Sequence, residues 1–219
     1  MGRTTTGRPA LALALLGALA GGVQGQSATS VGARAGLLIS TAVFEDPSTN
    51  AQTGVLTGVQ LGVAVSRDLG RFAAVEGGVQ LSREGFGGEG AHSGDLRTDN
   101  VSLPVLVRLR TPGRRSFHVT VGAAAKLSLR CRQVGVAVVG DMPCDDPVLG
   151  ARWKAFDVAA LVGAGVGLPF SGRRVVVDML LSWGLRDVDG SQVVPGTARN
   201  VSLGLSAAVL SPWSRGGSS

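Results

Sequence analysis

Asn100-Val-Ser-Leu-Pro-Val-Leu-Val-Arg-Leu-Arg110 decides the fold. In an extended chain, successive side chains point to opposite faces. Val101, Leu103, Val105, Val107 and Leu109 then share one face, and Asn100, Ser102, Pro104, Leu106, Arg108 and Arg110 the other. Such period-2 alternation marks a strand whose two faces meet different surroundings. Downstream, Ser116–Cys131 sets Val119, Val121, Ala123, Ala125, Leu127 and Leu129 against His118, Thr120, Gly122, Ala124, Lys126, Ser128 and Arg130. Arg173–Arg186 repeats the pattern, with Val175, Val177, Met179, Leu181, Trp183 and Leu185 on the apolar face.

Five further segments alternate in the same way: Val31–Thr41, Val55–Ser66, Arg71–Arg83, Lys154–Leu168 and Thr197–Leu210. The eight together predict an all-β, antiparallel, up-and-down barrel. Alternation alone does not say which face points inward. Three features predict lipid outside and a polar lumen. The segments run about 11 to 16 residues, against a globular mode of about 5 to 6, which suits tilted membrane strands. Gly58, Gly62, Gly78, Gly122, Gly163, Gly165, Gly167 and Gly204 lie on the polar face, and a narrow closed lumen has room only for small residues. The connections also alternate. Arg67–Gly70, Thr111–Arg115 and Pro169–Gly172 are short, whereas Ala42–Gly54, Glu84–Asp99, Arg132–Trp153 and Asp187–Gly196 are longer. Short periplasmic turns and longer outer loops are the habit of transmembrane β-barrels.

Charge follows the same polarity. Most of the 15 acidic residues fall in the longer connections, including Glu45, Asp46, Glu84, Glu89, Asp95, Asp99, Asp141, Asp145 and Asp146. The short-turn end carries Arg67, Arg71, Arg114, Arg115, Arg173 and Arg174, opposed by Asp68. Phe72, Phe117, Phe170 and Trp213 fall near that end, and Trp153, Phe156 and Trp183 near the other, a sparse pair of interfacial girdles. The net charge of +6 does not point to nucleic acid, because the arginines are scattered and few aromatics accompany them.

The amino terminus reads differently. Arg3 and Arg8 precede the apolar run Ala10–Ala20, and small residues follow to Gly25. That is the layout of a secretory signal peptide, and the run is well short of the roughly 20 residues a spanning helix needs. The expected organisation is a cleaved signal peptide at 1–25, an outer-membrane barrel at 26–213 and a flexible tail at 214–219. Glycine makes up 34 of 219 residues, about twice the usual ~7%, and glycine at this density disfavours long helices. An exported chain meets an oxidising compartment, so Cys131 and Cys144 are expected to pair.

Four short runs resemble the PorT-like family of outer-membrane β-barrel proteins. They are Val31-Gly-Ala-Arg-Ala-Gly-Leu37, Val101-Ser-Leu-Pro-Val-Leu-Val-Arg108, Phe156-Asp-Val-Ala-Ala-Leu-Val-Gly-Ala-Gly-Val-Gly167 and Ser182-Trp-Gly-Leu-Arg-Asp-Val188. The resemblance spans roughly residues 31 to 213. It implies an eight-stranded barrel in the bacterial outer membrane and little about activity.

Chemistry, if any, would sit on the polar face. The mid-strand charges there are Arg34, Glu76, Arg108, Lys126, Asp157 and Asp178. Unpaired charge in a narrow lumen is costly, which predicts pairing of Glu76 with Arg108 and of Lys126 with Asp157. These pairs plug the lumen, since an eight-stranded barrel is normally filled by its own side chains. A charged solute path is the alternative, and a small pore the corresponding function. A catalytic triad finds little support. His118 has no acid nearby in sequence, and His92, close to Ser93, Asp95 and Asp99, lies in a glycine-rich loop. The acidic loops supply oxygen ligands of the kind calcium and magnesium prefer, but no fixed ligand spacing appears. No cofactor is implied. The expectation is therefore a structural or interaction barrel, not an enzyme, that meets outer-membrane lipid and a protein partner at its outer loops. A pore ranks next, and an outer-membrane enzyme or a soluble periplasmic ligand-binding barrel ranks lower.

Overall fold

Alternating apolar and small polar residues leave these segments one low-energy arrangement in a bilayer, a sheet closed on itself so that no backbone edge faces lipid. The computed structural model describes residues 28–44, 53–88, 95–136, 140–144, 154–188 and 197–213. Among these residues, nine strands run in order: β1 (Thr29–Phe44), β2 (Thr53–Asp68), β3 (Ala73–Gly88), β4 (Asp95–Arg110), β5 (Ser116–Val136), β6 (Gly140–Pro143), β7 (Phe156–Phe170), β8 (Arg173–Gly184) and β9 (Ala198–Pro212). Eight of them form the barrel. Each pairs antiparallel with its neighbour, β4 meets β5, and β9 returns to β1. The closing seam runs from Ser30↔Pro212 to Phe44↔Ala198. The expected signal segment and tail lie outside the described residues.

The extra strand, β6, continues only the outer end of β5, with Arg132↔Pro143 and Gln133↔Met142 in register. A Cys131–Cys144 disulfide joins the two, its Cα atoms 5.3 Å apart. Strands β3, β4 and β5 reach past the predicted ends, so Glu84–Gly88, Asp95–Asp99 and Arg132–Val136 are paired backbone and not loop.

The apolar face points outward. Leu37 is 67% exposed, Leu205 58% and Val121 52%. The opposite face is buried: Arg34, Glu76, Arg108 and Asp178 are each 5% exposed or less. A soluble barrel would reverse these faces, so the water-soluble alternative is corrected here. Phe72, Phe117, Phe170 and Trp213 project at the short-turn end, and Phe156 and Trp183 at the other. The tightest connection, Ser171–Gly172, has φ of 46° and 74°, the left-handed conformations of a two-residue hairpin turn.

Candidate functional site

The lumen is built in layers, and neighbouring strands supply each one. Its centre is a ring of alternating charge. Arg34 on β1 donates from Nη2 to Glu76 Oε1 at 2.6 Å and to Asp178 Oδ2 at 3.1 Å. Arg108 on β4 faces the same two carboxylates. Its Nη2 lies 3.0 Å from Glu76 Oε1 and 2.7 Å from Asp178 Oδ2, and its Nη1 donates to Glu76 Oε2. Two guanidiniums and two carboxylates thus close a circuit across the lumen from β1, β3, β4 and β8. The charges offset one another where water is scarce.

His118 on β5 completes the ring. Its Nε2 sits 2.6 Å from Asp178 Oδ1, and because a carboxylate only accepts, Nε2 carries the proton. The two residues are far apart in sequence, yet Gly165 lies between them in register, opposite His118 on one side and Asp178 on the other. A Cβ at Gly165 would stand 2.6 Å from the His118 nitrogen and 2.7 Å from the Asp178 oxygen. The absence of that one carbon opens the gap the bond crosses.

Towards the long-loop end, leucines fill the section. Leu38, Leu106 and Leu180 each lie over a glycine of the paired strand, Gly58, Gly122 and Gly163 respectively. These three polar-face glycines are therefore the seats of the leucine side chains. Beyond them lies a cavity of about 50 Å³, bordered by Gln60, Gln80, Ser82, Ser102, Glu84 and Lys126. Here Lys126 Nζ donates to both Glu84 oxygens, at 3.1 and 3.0 Å, and Ser82 Oγ donates to Oε1 at 3.0 Å.

The expected partners divide. Glu76 and Arg108 stand together in the ring. Lys126 and Asp157 are register neighbours, but the Lys126 ammonium turns to Glu84 instead, and the predicted second pair is corrected. The sequence pattern makes Glu84 the first residue of a loop, whereas β3 continues through it and turns its carboxylate into the lumen. Asp157 is held otherwise: its Oδ1 accepts from the backbone N–H groups of Val158 and Arg186. Arg34, Asp178 and His118 belong to the ring without having been paired in advance. Their shared polar face was readable in the sequence, but their contacts across the lumen were not.

Outside the lumen, β3, β4 and β5 form a charged ledge at the long-loop end. Arg83 Nε lies 2.7 Å from Asp99 Oδ1, and Arg97 Nη2 lies 3.1 Å from Asp95 Oδ2. Arg130 stands opposite Asp99, and Arg132 opposite Arg97. Among the described residues, no group of three or more His, Cys, Asp or Glu side chains forms a metal-binding cluster. His92 and the acidic residues Glu45, Asp46, Glu89, Asp145 and Asp146 lie outside the described residues.

A closed antiparallel barrel with a lipid-compatible exterior and a charged, filled lumen defines a class, the small transmembrane barrels of the bacterial outer membrane. The sequence agrees. The profile of a family described as outer membrane protein beta-barrel domain matches residues 24–190, and the chain belongs to that family. No curated protein matches the sequence closely enough to count as a relative. Among solved structures, outer membrane protein AlkL in lipid bilayers is similar at a TM-score of 0.54 and 13% identity, with all of both chains covered. OprG from Pseudomonas aeruginosa gives a TM-score of 0.49 at 12% identity, over 86% of this chain and 97% of that one. Ail of Yersinia pestis gives 0.45 at 15%, over 85% and 99%. At its low identity, the AlkL likeness speaks for the fold alone.

Proposed function

We propose that this protein is a closed outer-membrane barrel with a structural or interaction role, and that it works through its outer extensions and not as a conduit. The observation that carries the reading is the ring of Arg34, Glu76, Arg108 and Asp178 across the lumen, backed by the leucine layer. A solute crossing the barrel would have to break several charge-assisted bonds in a water-poor section. The four sequence runs support a PorT-like branch of that family as the nearer relationship. With the short turns and both barrel termini on the periplasmic side, the β5–β6 hairpin and the ledge of Arg83, Arg97, Arg130 and Arg132 face outward from the cell. Pinned by the disulfide and charged on its face, that ledge offers a protein partner a rigid, polar platform.

Conductance separates this reading from the pore. Purified barrel refolded into a planar lipid bilayer is expected to give no steady unitary current in molar potassium chloride. A reproducible single-channel step from the wild-type protein would overturn the plugged reading and favour a small passive channel.

A further inference from the structure

The plug leaves unused the mouth at the short-turn end. A cavity of about 300 Å³ opens there between the β4–β5 turn, the residues before β3 and the β7–β8 hairpin, and Arg71, Arg110, Arg114, Arg173 and Arg174 line it. Arg110 is fully engaged. Its Nη1 lies 2.8 Å from Asp68 Oδ1, and its other nitrogens donate to the carbonyl oxygens of Gly70 and Arg71. The remaining four have no carboxylate within ion-pair distance among the described residues. Arg174 is half-buried, and its Nη2 donates only to Ser116 Oγ, at 2.6 Å. Arg71 rests over the Phe72 ring at 4.5 Å. The nearest lumen carboxylates, Glu76 and Asp178, already serve Arg34, Arg108 and His118.

Four unneutralised guanidiniums around one concavity repel each other and focus a positive field into it. A planar guanidinium fork matches an oxyanion in two-point contact, and a doubly charged oxyanion offsets two of the four charges at once. We propose that this mouth is a binding site for a phosphoryl oxyanion. Two sources share that chemistry, a free phosphate-bearing solute of the periplasm and the headgroup of an anionic phospholipid in the facing leaflet.

The test titrates the full barrel, folded in neutral detergent, with sodium phosphate and with pyrophosphate by calorimetry, at constant ionic strength set with chloride. Saturable binding is expected, tighter for pyrophosphate. Arg173→Gln and Arg174→Gln are each expected to weaken it about 10-fold or more, the scale of one charge-assisted hydrogen bond. Arg173 has no partner among the described residues, so its variant should keep the heat-dependent gel shift of the folded barrel. Arg130→Gln at the opposite end is expected to bind as wild type. Repeating the titration in nanodiscs identifies the source. Pyrophosphate binding that persists equally in phosphatidylglycerol and phosphatidylcholine discs assigns the site to a free solute. Binding competed away in phosphatidylglycerol alone assigns it to the lipid headgroup. Absence of saturable binding in detergent, or equal loss with Arg130→Gln and Arg173→Gln, overturns the proposal.

Discussion

Replacing Arg108 by alanine tests the ring most directly. The substitution removes a two-point contact with Glu76 and a 2.7 Å bond to Asp178. Glu76 then keeps the single 2.6 Å bond from Arg34, while Asp178 keeps Arg34 at 3.1 Å and His118 at 2.6 Å. Counting the two guanidiniums and the two carboxylates, the formal charge moves from zero to minus one. Breaking a buried ion pair on one side costs about 3–5 kcal/mol. Because Arg34 still serves both carboxylates, the lower end, about 3 kcal/mol, is expected. Removing Glu76 as well restores one cation against one anion, so Arg108→Ala/Glu76→Ala should lose less than the two single variants combined, by about 1–3 kcal/mol of coupling. The assay is reversible urea unfolding in detergent, followed by tryptophan fluorescence and by gel mobility of unboiled samples. A loss below about 0.5 kcal/mol for Arg108→Ala, or strict additivity in the cycle, would refute the ring as a stabilising circuit.

Three other outcomes follow from the geometry. Gly165→Ala puts a methyl group 2.2 Å from the Val177 carbonyl oxygen as well as into the gap between His118 and Asp178, and should cost about 3 kcal/mol or more by overpacking. His118→Ala should cost less in that background than in the wild type, as the same urea titrations would show. Val105→Arg places a charge near the middle of the lipid-facing belt, and a loss of about 2–4 kcal/mol is expected for folding into vesicles; a loss no larger than that of Val105→Ala would contradict the outward assignment. Cys131→Ala/Cys144→Ala releases a constraint worth about 3 kcal/mol for a loop of this length. The effect should stay local, with faster trypsin cleavage at Arg130 and Arg132 but an unchanged barrel mobility shift.

The strand cores were legible because lipid on one side and a packed lumen on the other impose opposite demands on alternate residues. Val101–Leu109 on β4 and Val175–Leu185 on β8 and beyond carry that signature. It fades where the strands leave the bilayer. Asp95-Leu-Arg-Thr-Asp99 extends β4, but water meets its outer face, so no apolar period marks it as strand. The same fading ends the predicted third strand at Arg83, five residues short of Gly88, and hides Glu84, which leaves Lys126 to be matched with Asp157. The ring failed to appear for another reason. Arg34 touches Glu76 and Asp178, neither of them on a strand that neighbours β1. Such contacts follow from lumen width, strand tilt and side-chain reach, and a one-dimensional pattern holds none of these. The cavity at the short-turn mouth was half visible, as an excess of arginine at that end. Its concavity needed the turns in place.

The seam between β1 and β9 has a kinetic consequence. Its partners, from Ser30↔Pro212 to Phe44↔Ala198, stand at opposite ends of the described chain, so the first strand to be exported must wait for the last. Until β9 arrives, β1 and the growing end of the sheet are two unsatisfied edges, and every lipid-facing side chain between them is exposed to periplasmic water. Contacts of such long sequence separation form slowly, and open apolar edges invite aggregation. Closure of this seam is therefore the last step of folding that the topology allows, and until it is made the sheet keeps two open edges.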